Sequence, residues 1–256
     1  MNQINGIKAI WYRELKVFIR EKSRIVSALI TPLLWLLIFG GGLGSAVVIS
    51  GINYQSFIYP GILIQSALFS SVFFGVYIVW DRKIDFLKEV LAAPISRFSM
   101  FMGKVIGGAT DSIIQSLILL FLGFILCVIG VIPGLHFTIF SVVFSLIILL
   151  ITIISMVSIG LIIGSMMESP EGFQLISSFL LFPLFFLSGA LFPINHLPSW
   201  LVPFNLMDPL TYSVDALRSV ILGYSQINFL LDLGIITAFA IVVVAIGTYA
   251  FEKMKF

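Results

Sequence analysis

Charge is what this sequence most lacks. Only 10% of its 256 residues are Asp, Glu, Lys or Arg, where a soluble domain carries about 25%. Cysteine is almost absent too: Cys127 is the single one, so neither a disulfide framework nor a thiolate metal cluster can be assembled. The two histidines, His136 and His196, have no carboxylates nearby in sequence, which argues against a histidine metal site. No phosphate-binding loop occurs. The one Gly-Lys pair, Gly103-Lys104, has Phe98 where the motif needs its first glycine and Val105 where it needs Ser or Thr. Paired carboxylates or a Ser/Lys couple at membrane depth, which an intramembrane enzyme would need, are not seen either. What fills the chain is apolar: 60% of residues, with 25 phenylalanines and a mean hydropathy of +1.16. Such a surface cannot be covered by polar groups, so the solvent is lipid, and a nucleic-acid binder or disordered tail is excluded.

The spacing of the few charges counts the spans. Residues 25–80 and 112–167 are two uncharged stretches of 56 residues each. A spanning helix takes about 20 residues, so each stretch holds two spans and a turn. The turns fall near 44–56, broken by Gly51-Ile52-Asn53, and near 130–136, broken by Gly130 and Pro133-Gly134. Residues 172–192 make a fifth span and 233–251 a sixth. The expected fold is all-α and integral to the membrane, one six-span domain over 25–256 behind an N-terminal segment, 1–24. Thirteen of the 14 basic residues lie before span one, between spans two and three, or at the C-terminus, and only Arg218 lies in an opposite loop. The bias places both termini in the cytoplasm of a multi-pass plasma-membrane protein. The 24 residues before the first apolar run are long for a signal-peptide n-region and no Ala-x-Ala site follows, so no cleavage is expected.

Three segments outside the spans carry pattern. Over 4–22, Ile4, Ile7, Trp11, Leu15 and Phe18 form a stripe opposite Arg13, Lys16 and Arg20, the pattern of an amphipathic helix at the inner lipid headgroups. Glu14 and Glu21 beside that stripe fit either solvated pairing with Arg13 and Arg20 or a cytoplasmic partner. In the loop 81–97, Phe86, Leu87, Val90 and Leu91 make an apolar face and Asp85, Lys88 and Glu89 a polar one, with Pro94 ending a short helix. Between 188 and 222, Pro193, Pro198, Pro203 and Pro209 punctuate apolar pieces, 199–206 and 210–222, that are too short to cross and read as re-entrant or interfacial helices. Asp215 and Arg218 are spaced for a surface pair, Lys104 for snorkelling with Asp111 either its partner or facing the bundle, and the glycine pairs Gly40/Gly44, Gly103/Gly107 and Gly160/Gly164 for close helix packing.

Two stretches resemble the type 2 ABC exporter permeases, the group of daunorubicin-type drug exporters and lipid or polysaccharide exporters. One is Pro60-Gly61, Trp80-Asp81-Arg82, Phe86 to Leu91 and Ala93-Pro94-Ile95-Ser96-Arg97. The other runs from Phe182-Pro183 through Leu187-Ser188-Gly189-Ala190-Leu191-Phe192-Pro193, Leu197-Pro198-Ser199-Trp200-Leu201 and Asp208-Pro209-Leu210-Thr211-Tyr212 to Asp215 and Arg218. The chain departs from the family pattern at Arg82-Lys83-Ile84-Asp85, where relatives commonly have Arg-Glu-x-Gly, and at Asp208, where asparagine is frequent. The resemblance implies a coupling helix in 82–97 that docks in a separate ATPase through Arg82, Phe86, Leu87, Glu89, Leu91, Pro94 and Arg97. It implies an interface helix carrying Trp11, Arg13, Glu14 and Arg20, and an outer re-entrant pair carrying Gly189, Pro193, Pro198, Trp200, Pro209, Tyr212, Asp215 and Arg218. It further implies two ATPase copies that bind Mg-ATP, no cofactor in this chain, and a second permease copy, identical or not, with span one (Thr31-Pro32) and span five (Pro183) moving at the dimer interface. The implied activity is ATP-driven export of an amphipathic, lipid-linked or drug-like substrate, with membrane lipids and no nucleic acid as surroundings. A gated channel or a membrane scaffold accounts for the spans but not for the amphipathic inner loop.

Overall fold

The computed structural model describes residues 3–44, 47–49, 51–86 and 95–254. Helix α1 (Gln3–Arg20) precedes an apolar helical run made of α2 (Lys22–Trp35), a wide π turn (Leu36–Gly40) and the single turn α3 (Gly41–Gly44). A two-residue antiparallel hairpin, β1 (Val48–Ile49) and β2 (Ile52–Asn53), pairs Ile49 with Ile52 and turns at Gly51, whose φ of 82° favours glycine. Helices α4 (Tyr54–Phe73) and α5 (Val76–Lys83) follow, then α6 (Arg97–Val128), α7 (Ile139–Met166) and α8 (Pro170–Leu187). A 3₁₀ turn (Ile194–His196) and the short helix α9 (Val202–Met207) lead to α10 (Pro209–Leu222) and α11 (Phe229–Lys253).

Local chemistry sets these boundaries. Ser96, Thr138, Ser169, Asp208 and Asn228 each accept a backbone N–H at the start of α6, α7, α8, α10 and α11, satisfying donors that have no partner within the helix. Pro170 and Pro209 stand at the first helical positions, where the missing N–H costs nothing. Both turns expected between spans are present, the first as the hairpin and the second around Gly130 and Gly134, which have φ of 85° and 82°.

Among the described residues five helices are long and apolar enough to cross a membrane: 54–83 (α4 and α5 together), α6, α7, α8 and α11. The first apolar run gives a shorter apolar helix, Leu29–Gly40, with Pro32 and the π turn inside it. Helix α4 is the centre of the molecule, with Phe57, Ile58, Ile64, Ala67, Leu68 and Val72 inaccessible.

Two of the expected glycine pairs set the helix spacing. A Cβ on Gly160 would lie 2.3 Å from the carbonyl oxygen of Val72, and one on Gly164 the same distance from that of Gly75. One on Gly75 would lie 2.0 Å from the oxygen of Gly160, so α7 meets the α4/α5 junction main chain to main chain. At that junction the backbone tightens, with Gly75 donating to Val72 and Ile78 to Gly75. Gly103 and Gly107 likewise admit Ile10 and Glu14 of α1 against α6.

Gly160→Ala is expected to force α7 off α4 and lower the melting temperature in detergent, at an overpacking cost of roughly 1–3 kcal/mol. Gly234→Ala, at a helical position with open space around it, is expected to be neutral or slightly stabilising. Equal melting of the two variants would remove the main-chain contact as the determinant of spacing.

Candidate functional site

The face of α1 that packs on α6 is turned from the stripe read from the sequence and shares Phe18 with it, while Ile7, Trp11 and Leu15 are half-buried at its edge. Gly6, Ile10, Glu14 and Phe18 are buried, while Ile4 is 57% exposed. The groove left by Gly103 and Gly107 selects this i, i+4 row, and a carboxylate goes in with it. Trp11, beside the row, donates its indole N–H to Thr110 Oγ1 at 3.1 Å, and Arg20 is exposed at the end of the helix.

That carboxylate is half of a balanced buried set. Lys104 Nζ of α6 donates to Glu14 Oε1 at 3.0 Å and to Asp81 Oδ2 of α5 at 2.6 Å. Arg13 donates to the same Glu14 oxygen at 2.8 Å and grips both oxygens of Asp81 at 2.6 and 3.3 Å. Two cations therefore face two anions, and Glu14, Asp81 and Lys104 are all buried. Burial pulls the Arg13 guanidinium down, but Asp81 and Glu14 outweigh it and hold it above its ordinary value. Lys104 thus does not snorkel, and its ion-pair partners are Glu14 and Asp81 rather than Asp111. Glu14 is neither solvated nor offered to an outside partner. Glu21 accepts the Tyr77 hydroxyl instead of facing Arg20 across solvent.

The set lies at the root of the loop 82–97, and both ends of that loop are tied to helix ends. Arg82 donates to the carbonyls of Ser165 and Met167 at 2.8 and 2.9 Å, where α7 stops. Arg97 donates to the carbonyl of Met254 at 3.1 Å, just beyond α11. Phe86 lies under Arg13, whose guanidinium carbon is 3.8 Å from the ring centre. Leu87, Glu89, Leu91 and Pro94 lie outside the described residues.

On the opposite side, the expected surface pair Asp215–Arg218 is buried instead. Arg218 donates to the Gly189 carbonyl at 3.0 Å and covers the Phe57 ring at 3.9 Å. Asp215 accepts the backbone N–H groups of Gln226 and Ile227 at 2.8–3.1 Å. Burial lowers the guanidinium to about 10 and raises the Asp215 carboxyl against its backbone donors. Each charge is used to hold backbone, because in this environment a loop carbonyl or N–H without a partner is costly. Asn205 donates to the Leu187 carbonyl, Thr211 to that of Asn205 at 2.7 Å, and Tyr212 to that of Leu206 at 2.7 Å. Pro193 precedes the 3₁₀ turn, Pro198 accepts from Leu201, and Trp200 is 67% exposed. The signal for the inner set was a lysine inside an apolar helix, which demands counter-charges. The spacing in sequence did not say where they come from.

A family model for ABC-2 type transporters matches residues 5–222. The chain is 32% identical over 211 residues to a putative transport permease, ycf38, of Cyanophora paradoxa, covering 79% of this chain and 70% of that protein. It is 27% identical over 246 residues to the inner membrane transport permease YadH of Escherichia coli K12, covering 92% and 90%. Against nodulation protein J of Rhizobium meliloti the identity is 26% over 238 residues, covering 91% and 88%.

Lys104→Met should leave Glu14 and Asp81 sharing one cation, at a cost of roughly 3–5 kcal/mol, while Lys104→Met combined with Glu14→Gln should recover much of it. Thermal unfolding in detergent checks this; an unchanged single variant would refute the buried pairing. Asp208, whose Oδ1 caps α10 at Leu210, is raised by burial to about 7 from an ordinary 3.8. A carboxyl raised in the folded state gives stability that is present below pH 3.8 and lost as pH climbs through 7. Asp208→Asn keeps the cap acceptor, so it should raise the melting temperature by a few degrees above pH 7 and flatten the fall between pH 4 and 7.

Proposed function

This chain belongs to the ABC-2 type transporter family, and on that premise we propose that it is the six-span permease half of an ATP-driven exporter. Membership makes it a multi-pass membrane permease that works with an ABC ATPase subunit. Our finer reading counts the run Lys22–Gly44, π turn included, as the first of six spans, with both termini cytoplasmic. In the same reading Val202–Leu222 is a re-entrant pair on the outer side and loop 82–97 carries the coupling helix. Two copies of the permease, with two ATPases that bind Mg-ATP, would carry an amphipathic substrate outward, and this chain binds no cofactor of its own.

The observation that carries the reading is the tie at the root of loop 82–97. Asp81 precedes the loop, Lys104 follows it, and Glu14 of α1 joins them. Arg82 and Arg97 fasten the same loop to the ends of α7 and α11. A push delivered to the loop by a nucleotide-driven partner would therefore reach α1, α5, α6, α7 and α11 together and move them as a body. A rigid-body shift between two packings is what alternating access by such a bundle requires. A channel or scaffold has no use for a loop fastened on both sides.

Affinity purification of the full chain from native membranes in mild detergent is expected to bring down a stoichiometric soluble ATPase. Glu89→Arg is expected to release that subunit and abolish ATP-dependent efflux while leaving the melting temperature of the permease unchanged. Recovery of the chain as a pure oligomer without a nucleotide-binding subunit would overturn the exporter reading.

A further inference from the structure

The polar groups buried in the helix bundle divide into two sets. Most are paired: Ser70 and Ser71 donate to Ser112 at 2.9 and 3.1 Å, Tyr59 to the carbonyls of Leu119 and Leu120, and Thr152 to Ser213 at 2.9 Å. Among the described residues Ser145, Ser177 and Asp232 keep side-chain oxygens without a partner, and around one cavity several such atoms gather. The side-chain oxygen of Gln65, the hydroxyl of Ser66 and both polar atoms of the Gln115 amide find no hydrogen-bond partner among the described residues. Gln65 and Ser66 are 4% exposed and Gln115 is not exposed at all. All three line a cavity of about 440 Å³ between α2, α4, α6 and α8, within the size range of ligand sites. Gln65 stands near the middle of the span 54–83 and Gln115 near the middle of α6, so the two amides lie at comparable depth.

The cavity wall has a definite chemistry. Trp35, Phe69, Phe73 and Phe182 give it an aromatic lining, and among the described residues no Asp, Glu, Lys or Arg takes part. An amide that lacks a partner at this depth is costly to keep, and a helix bundle needs none for packing, since leucine has nearly the same volume. An amide also both donates and accepts, so the pair can meet a carbonyl, a hydroxyl or another amide. It cannot neutralise a full charge, and a charge brought in alone would lack any counter-ion.

Resting on the exporter reading above, we propose that this cavity binds the neutral hydrogen-bonding part (amide, ester or hydroxyl) of an otherwise apolar substrate, with Gln65 and Gln115 as its specificity-determining pair. The aromatic wall takes the apolar remainder. Anionic and quaternary ammonium amphiphiles of equal chain length are rejected, although aromatic rings alone would have welcomed the cation.

The test uses the full chain in nanodiscs with Trp11, Trp80 and Trp200 replaced by phenylalanine, so that Trp35 on the cavity wall is the only indole. Dodecanamide is expected to shift Trp35 emission saturably, and dodecanoate and dodecyltrimethylammonium are expected not to. Gln65→Leu and Gln115→Leu should each weaken dodecanamide binding by about tenfold or more. Both variants should melt no lower than the parent, since each removes a buried amide without a partner. Undiminished binding in the leucine variants, or saturable binding of either charged probe, would overturn the proposal. So would efflux of dodecanamide by the ATPase-bearing complex that ignores both substitutions. Selective, glutamine-dependent binding without ATP-driven efflux would uphold the site and defeat the exporter reading alone.

Discussion

Lys104 sits in an apolar helix with its ammonium buried, and hydrocarbon offers an ammonium nothing. Its three donors must be met by protein, and the structure meets them from two directions, with Glu14 of the N-terminal helix and Asp81 at the end of α5. Each carboxylate also needs a second donor, which Arg13 supplies to both. Withdrawing any one of the four leaves two like charges sharing a single counter-charge, so α1, α5 and α6 are fixed to one another by charge balance as well as by shape. The glycines Gly103 and Gly107 make this possible by letting Glu14 come within reach.

The other end of the bundle solves the same problem with the opposite tactic. Arg218 and Asp215 do not neutralise each other by direct hydrogen bonding; each binds main chain, Gly189 for the one and Gln226 with Ile227 for the other. The chain between α8 and α11 is thereby held against α4, where Gly61 leaves room for Ala190. The two stretches of sequence that resemble exporter permeases, one beginning at Pro60-Gly61 and the other containing Gly189-Ala190, meet at that contact.

The sequence made the long elements legible because charge has one strong meaning in lipid. Uncharged runs became apolar helices, five of them long enough to span among the described residues, and the breaks between them became turns with the positive φ that glycine permits. The glycine pairs were legible for a related reason: nothing else in an apolar helix explains small residues four apart. Pairings were not legible. Glu14 and Lys104 are 90 residues apart, and of the stripe of Ile4, Ile7, Trp11, Leu15 and Phe18 only Phe18 belongs to the row that is buried. Only the groove on α6 decides between the two faces, and a groove belongs to two helices. The same limit hid Asp215 and Arg218, whose spacing of three suits a surface pair until the loop carbonyl and amides they serve are in place. The uncharged glutamines escaped notice because an isolated Gln65 or Gln115 says nothing until a cavity brings them to one wall.

The contact of Gly75 with Gly160 and Gly164 has a mechanical consequence. Elsewhere α4 and α7 interlock through side chains, and displacing them would mean changing rotamers against close-packed neighbours. At Gly75 the two chains touch through bare backbone, directly where α4 gives way to α5. A joint of that kind has no interdigitated teeth to strip, and it lies between the longer arm of the span, α4, and the arm that carries Asp81. It is a sliding joint: α5 and α7, fastened together through Arg82, can shift over α4 there with no side chains to disengage, and α5 is the shorter arm.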